Sequence, residues 1–274
     1  MIWGAVAYAV FIWWFSTGAI LYVVSRAGSR GKDGYLMSVI MAIPVLVLGS
    51  AGIMASLDDA SVKGAFVGFT SALLVWGWFE MAFLAGILTG PNAHPTPATA
   101  KGFERFIRAW GAIAYSEMAL IATAILITLL SLGESNLIAM WTYLILFFAR
   151  IFAKLNVHFG VPNINDEFLP TPVRHLTSHF RKAPMNAFFP VSVTLLTVAS
   201  VCFAERALAA PPGVDVGYAL LAAITALAVF EHWMMVLPVQ DAALWRWLMP
   251  SPSRQEDEIT TAGTAHQRGL RNGL

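Results

Sequence analysis

Three carboxylates, Glu80, Glu117 and Glu231, each lie inside a long apolar run, and His232 follows the last of them. An ionisable group at bilayer depth is costly and is kept for function or for pairing with a partner. Counted at about 1.5 Å per residue from the expected ends of their runs, these groups lie roughly 12 to 14 Å deep, at one level on three different helices. Arg150 and Lys154, near the end of a fourth run, and Asn156 and His158 just after them, reach the same level from one side. Carboxylates and imidazoles projecting into a helical bundle are the raw material of a carboxylate-bridged metal site of the di-iron kind. The candidate ligands are Glu80, Glu117, His158, Glu231 and His232. The Glu-x-x-His spacing of such bundles is missing, however, and Glu231 and His232 are adjacent, so they point about 100° apart and only one faces a given ion. The competing reading is a structural network anchored on Arg150.

A second polar feature is the stretch "NVHFGVPNINDEFLPTPVRHLTSHF", residues 156–180. Asn and Asp favour turns and helix caps, and the glycine and prolines stiffen the chain, so an ordered loop folded against the bundle is expected. We read Asn156, His158, Asn163, Asn165 and Glu167 as part of a lid that closes the mouth below the carboxylate layer. The plainer alternative is a loop that only caps helix ends. His175 and His179 are four apart and would share a face if helical; solvated histidines are the favoured reading of that pair.

The elements that must position these groups follow from hydropathy. With 58% hydrophobic and 12% charged residues the chain is too apolar for a soluble domain. Its net charge of +1, with dispersed basic residues, gives no footprint for nucleic acid. About 20 apolar residues cross a bilayer. Seven runs qualify, near Ile2 to Val24, Tyr35 to Ser56, Ala65 to Thr89, Ala109 to Leu132, Leu137 to Lys154, Ala187 to Glu205 and Gly217 to Val239. Pro44 interrupts the second. The first lacks a basic start and a small-residue cleavage site and reads as a retained helix. Cys202, the single cysteine, is expected as a small buried apolar residue.

Lys and Arg accumulate in cytoplasmic loops. Arg26, Arg30 and Lys32, then Lys101, Arg105 and Arg108, then Arg174, Arg181 and Lys182, and four arginines of the tail all fall on one side, against Lys63 and Arg206 on the other. The expected fold is therefore an all-α integral membrane protein with seven transmembrane helices, the amino terminus periplasmic and the carboxyl terminus cytoplasmic. Residues 1–249 form the transmembrane domain, with a cytoplasmic lid loop at 156–186. The stretch "DAALWRWLM" reads as an interfacial segment, and 250–274 as a disordered polar tail.

Several functions are set aside by what is missing. No lysine lies in residues 217 to 239 to form a retinal Schiff base, and six histidines are too few for a membrane desaturase. No GxxxxGK[ST] phosphate loop occurs.

The blocks "AKLNVHFGVPNINDEFLP", "PMNAFFPVSVT", "FEMAFLAGILTGP" and "EHWMMVLPVQDAALWRW" resemble the photosynthetic complex assembly proteins of purple bacteria, the PuhE type, from about the third span to Leu248. The genes of that family lie beside that for the H subunit of the reaction centre. The resemblance implies a multi-pass protein of the bacterial inner membrane, cytoplasmic or intracytoplasmic. Its role would be to assist assembly of reaction-centre and light-harvesting complexes or to modulate bacteriochlorophyll supply. Partners would be the bilayer, subunits of those complexes and pigment-synthesis enzymes, with no nucleic acid. Ten tryptophans and 18 phenylalanines are enough to line a site for bacteriochlorophyll or a carotenoid, although interface anchoring and helix packing are their commoner uses. The alternative function is a metal-dependent membrane enzyme, holding iron or another transition metal and acting on a pigment or lipid precursor.

Overall fold

The computed structural model describes residues 1–97, 99–164, 166 and 169–238. Eight α-helices run along them: α1 Ile2–Gly28, α2 Gly31–Met41, α3 Ile43–Ser56, α4 Val62–Leu84, α5 Gly102–Leu130, α6 Ile138–Phe159, α7 Phe189–Ala209 and α8 Val214–Met234. A run of 3₁₀ turns, Thr171–His179, lies between α6 and α7. Taking α2 and α3 together, seven helical segments are long and apolar enough to span a bilayer. This is a multi-pass membrane architecture.

The two halves of the second segment are separated at Ala42. Pro44 has no amide hydrogen to give and its ring crowds the preceding turn, so the helix restarts there, with Val45 donating to the Ala42 carbonyl at 3.0 Å. At the start of α4 the Ser61 hydroxyl accepts from the Gly64 amide at 3.2 Å, an N-cap. α4 stops at Leu84, short of the expected Thr89. There Gly86 (φ +72°) takes the left-handed conformation, with its amide bonded to the Phe83 carbonyl at 2.9 Å and that of Ile87 to the Ala82 carbonyl at 3.0 Å. This pair of bonds is a Schellman stop.

The helices α4, α6 and α8 form the middle of the bundle. α1 packs on α8 and α4, α3 on α4, α5 on α6, and α7 on α8. Small residues, Ala5 and Ala9 of α1, Ala65 of α4 and Ala219 of α8, are buried together with Phe69, Leu220 and Ile224. Such residues let backbones approach closely where lipid supplies no hydrophobic drive between helices. A second cluster joins Ala72 and Val75 of α4 to Leu120 of α5 and Tyr143 of α6.

The outer faces stay apolar: Phe11, Phe15, Leu48, Leu126 and Val198 are all exposed. A soluble helix would put charge there, whereas a lipid-facing one does not. Cys202 is exposed on this outer surface of α7, not buried as expected, because α7 packs against the bundle mainly through α8. The expected interfacial segment around Trp245 and the tail 250–274 lie outside the described residues.

Candidate functional site: an arginine-centred ion-pair network

Arg150 lies on the inner face of α6 and meets two of the three sequence-selected carboxylates. Its Nη1 pairs with Glu80 Oε1 of α4, and its Nε lies 3.4 Å from Glu117 Oε1 of α5. Ser116 Oγ is 3.5 Å from Nη2. One turn on, Lys154 Nζ donates to the same Glu117 oxygen at 2.5 Å. Four ionisable groups from three helices therefore form a charge-balanced unit. The Glu117 side chain is 3% exposed and that of Arg150 10% exposed, so pairing is what makes their burial tolerable. Aromatic faces complete the surroundings. The Phe83 ring centroid is 4.7 Å from Arg150 Cζ and 4.5 Å from Lys154 Nζ, and Trp76 lies 5.9 Å from Arg150 Cζ.

Local backbone structure places each member. Arg150 and Lys154 are four apart and project from one face of α6. The segment after α4 lies tightly along α5: Asn92 N donates to Gly111 O at 3.1 Å and Ser116 N to Thr89 O at 2.9 Å, just before Glu117. A Cβ on Gly90 would come within 2.2 Å of the Gly111 carbonyl, so only glycine permits this approach.

A cavity of about 300 Å³ adjoins the network among α1, α4, α6 and α8, with Glu80, Arg150 and Glu231 on its wall together with Trp13 and Trp76. Glu231 thus faces the same space as the Glu80–Arg150 pair, but it is exposed and not a buried member of the layer. His232 is 1% exposed and turns away. Its Nδ1 is 2.7 Å from the Ala228 carbonyl, and its Nε2 is buried with no hydrogen-bond partner among the described residues. The helix ends used for the depth count were displaced by several residues, yet Glu80 and Glu117 still meet one guanidinium.

The metal-ligand set does not assemble. Among the described residues no three of His, Cys, Asp and Glu are grouped to hold an ion. Glu80 and Glu117 are occupied by Arg150 and Lys154, while His158 and His232 lie in different surroundings. These residues, as arranged, do not fit a di-iron centre.

The loop after α6 is folded onto the bundle end. Val173 and Leu176 are buried against Phe83 and Ala112, the same Phe83 that underlies both cations. Asn163 N donates to Met235 O at 3.0 Å and its Nδ2 to Met234 O at 3.3 Å, capping the end of α8. Asn156, fully buried, donates from Nδ2 to Ser192 Oγ at 2.8 Å, and Asn186 Nδ2 donates to Asn156 Oδ1 at 3.1 Å and to Gly160 O at 2.8 Å. Asn156 therefore joins α6 to the start of α7 instead of reaching the ion-pair layer. Asn165 and Glu167 lie outside the described residues.

His158 supplies its carbonyl to Arg105 Nη1 at 2.9 Å, and its ring packs edge-on against Phe106 at 5.8 Å. His179 was expected to be solvated; it is 4% exposed, with Nδ1 2.6 Å from Thr96 Oγ1 and its carbonyl bonded to Arg105 Nη2 at 2.7 Å. Burial pushes its pKa down to about 4, helped by nearby His175, Arg105 and His158. The α4–α5 loop covers it, a contact that hydropathy gives no means of finding. Phe83 and Arg105 are the participants least visible in the sequence, whereas Lys154 was signalled by its four-residue spacing from Arg150.

The family model described as protein of unknown function (DUF3623) matches residues 1–256. An uncharacterized 30.4 kDa protein in the puhA 5′ region of Rhodobacter capsulatus is 49% identical over 243 residues, 88% of this chain and 89% of that one. No solved structure matches the chain.

Proposed function

The chain belongs to the family described as protein of unknown function (DUF3623), and we propose that it is a bacterial inner-membrane factor supporting assembly of photosynthetic reaction-centre and light-harvesting complexes or their bacteriochlorophyll supply. The observation that carries this reading is the relative from the puhA 5′ region, identical at about half of its aligned positions along nearly the whole chain. With the basic loops cytoplasmic, the folded 156–186 loop serves as the cytoplasmic lid of the bundle.

The geometry supports a scaffold rather than a metal-dependent reaction. Arg150 and Lys154 engage the glutamates a metal would need, and the outer helices offer broad apolar faces to neighbouring membrane subunits. The lid bears on Phe83 and thereby on the ion-pair network, so contact of a partner with the lid is transmitted to groups joining α4, α5 and α6.

The test is deletion of the gene in a photosynthetically grown host, complemented with wild type or Arg150→Leu, reading near-infrared absorbance of the assembled complexes. Loss of complexes restored by wild type but not by Arg150→Leu, at matched protein abundance, supports the reading. Normal pigment–protein yield in the deletion strain overturns it.

A further inference from the structure

A separate cavity of about 200 Å³ lies between α5, α6 and the lid, walled by Phe83 of α4, Ile113 of α5, Val157 of α6 and the lid residues Leu169, Leu176 and Phe180. Its polar lining among the described residues is Lys154, His158 and His179. Lys154 is engaged by Glu117. Each histidine, by contrast, has a ring nitrogen to spare: His158 Nδ1 and His179 Nε2 are buried with no hydrogen-bond partner among the described residues. A buried polar atom without a partner is costly, and two such nitrogens on residues of one cavity wall call for a ligand that satisfies them. A single guanidinium holds the two histidines side by side, Arg105 Nη1 donating to the His158 carbonyl at 2.9 Å and Nη2 to that of His179 at 2.7 Å. The other ring nitrogen of His179, Nδ1, is 2.6 Å from Thr96 Oγ1. In the tautomer that accepts the Thr96 hydroxyl proton, Nε2 keeps its hydrogen and is a donor.

We propose that the cavity beneath the lid binds a small uncharged ring carrying carbonyl oxygens, of the benzoquinone class, which His158 and His179 hold by hydrogen bonds from Nδ1 and Nε2. The surrounding charges select this class. Lys154 lines the cavity, Arg105 lies behind both histidines, and no carboxylate is among the described lining residues, so a metal ion or an amine is disfavoured. An anion would be buried against apolar walls with Lys154 already engaged by Glu117. An uncharged acceptor avoids both costs. The Phe83 and Phe180 side chains suit a flat ring, and the volume suits one substituted ring, smaller than the drug-sized ligands of ordinary pockets. The inference stands on this cavity and its histidines and is independent of the assembly role.

The experiment uses the full chain in phosphatidylcholine nanodiscs and equilibrium dialysis against empty discs, with three probes of one shape: tetramethylbenzoquinone, tetramethylbenzene, which lacks the oxygens, and tetramethylbenzoate, which is anionic. Wild type is expected to hold the quinone saturably in excess of empty discs, and the other two at least about tenfold more weakly, which equals about 1.4 kcal/mol of discrimination. Val157→Phe fills the cavity without removing a hydrogen-bonding side chain and is expected to lower quinone binding several-fold. His158→Phe and His179→Phe are each expected to bring quinone affinity towards that of tetramethylbenzene. Should His179→Phe fail to fold, His158→Phe and the comparison of probes on wild type decide. No saturable excess, tetramethylbenzene or tetramethylbenzoate held as tightly as the quinone, or quinone binding unchanged in Val157→Phe or His158→Phe overturns the proposal.

Discussion

Lys154 Nζ lies 2.5 Å from Glu117 Oε1, which makes Glu117 the acidic centre shared by both cations of α6. Removing this carboxylate leaves Lys154 and Arg150 without their common partner. Removing it together with Lys154 leaves the Glu80–Arg150 pair intact.

Glu117→Ala is therefore expected to destabilise the protein by about 3 kcal/mol, as for other buried pairs broken from one side. The double variant Glu117→Leu, Lys154→Met should lie much closer to wild type. Thermal unfolding in mild detergent checks both. A double variant as unstable as the single one would show that the pair is not the source of the effect.

Gly86 terminates α4 at φ +72°, and a Cβ there would lie 2.5 Å from Pro172 Cβ in the lid. Gly86→Ala incurs left-handed strain of about 1 to 2 kcal/mol as well as this clash. The expected outcome is faster limited proteolysis within residues 171–183, with the rest of the bundle protected. Unchanged cleavage kinetics would mean that the α4 stop does not hold the lid.

The Asn163 side chain donates to the carbonyls of Met234 and Leu237 at the end of α8, so Asn163→Ala removes capping bonds worth about 1 kcal/mol each. The Asn163 backbone bond to Met235 survives the substitution. Hydrogen exchange should quicken in the last turn of α8 while α4 and α6 are unaffected. If pigment–protein yield in the photosynthetic host falls at normal abundance, the lid does more than cap a helix.

His179 is neutral in the fold down to about pH 4, whereas an unfolded histidine takes up its proton near pH 6.5. Between those values the unfolded state binds more protons, so stability is full above about pH 6.5 and falls progressively as the pH drops towards 4. Hydrogen exchange of residues 171–180 should quicken over this window, and His179→Gln should flatten the dependence. A pH profile identical in the two proteins would place the sensitivity elsewhere.

Hydropathy located all seven spans, because crossing a bilayer requires a length of apolar chain that is a local property of the sequence. The same reasoning placed Glu80, Glu117 and Arg150 at one level, since helical rise converts position into depth.

Rotation and neighbour order are not local properties, and they determined the rest. Whether Glu231 or His232 faces the Arg150 cavity depends on which helices flank α8; the fold turns Glu231 towards it and buries His232 elsewhere. His179 is buried because Thr96, 83 positions away, closes over it. Asn156 is taken up by Asn186 and Ser192 at the start of α7. The sequence by itself determined how many times the chain can cross and where along its helices the charges fall; the tertiary structure alone decided which charges meet, because pairing depends on the azimuth and order of helices distant in the chain.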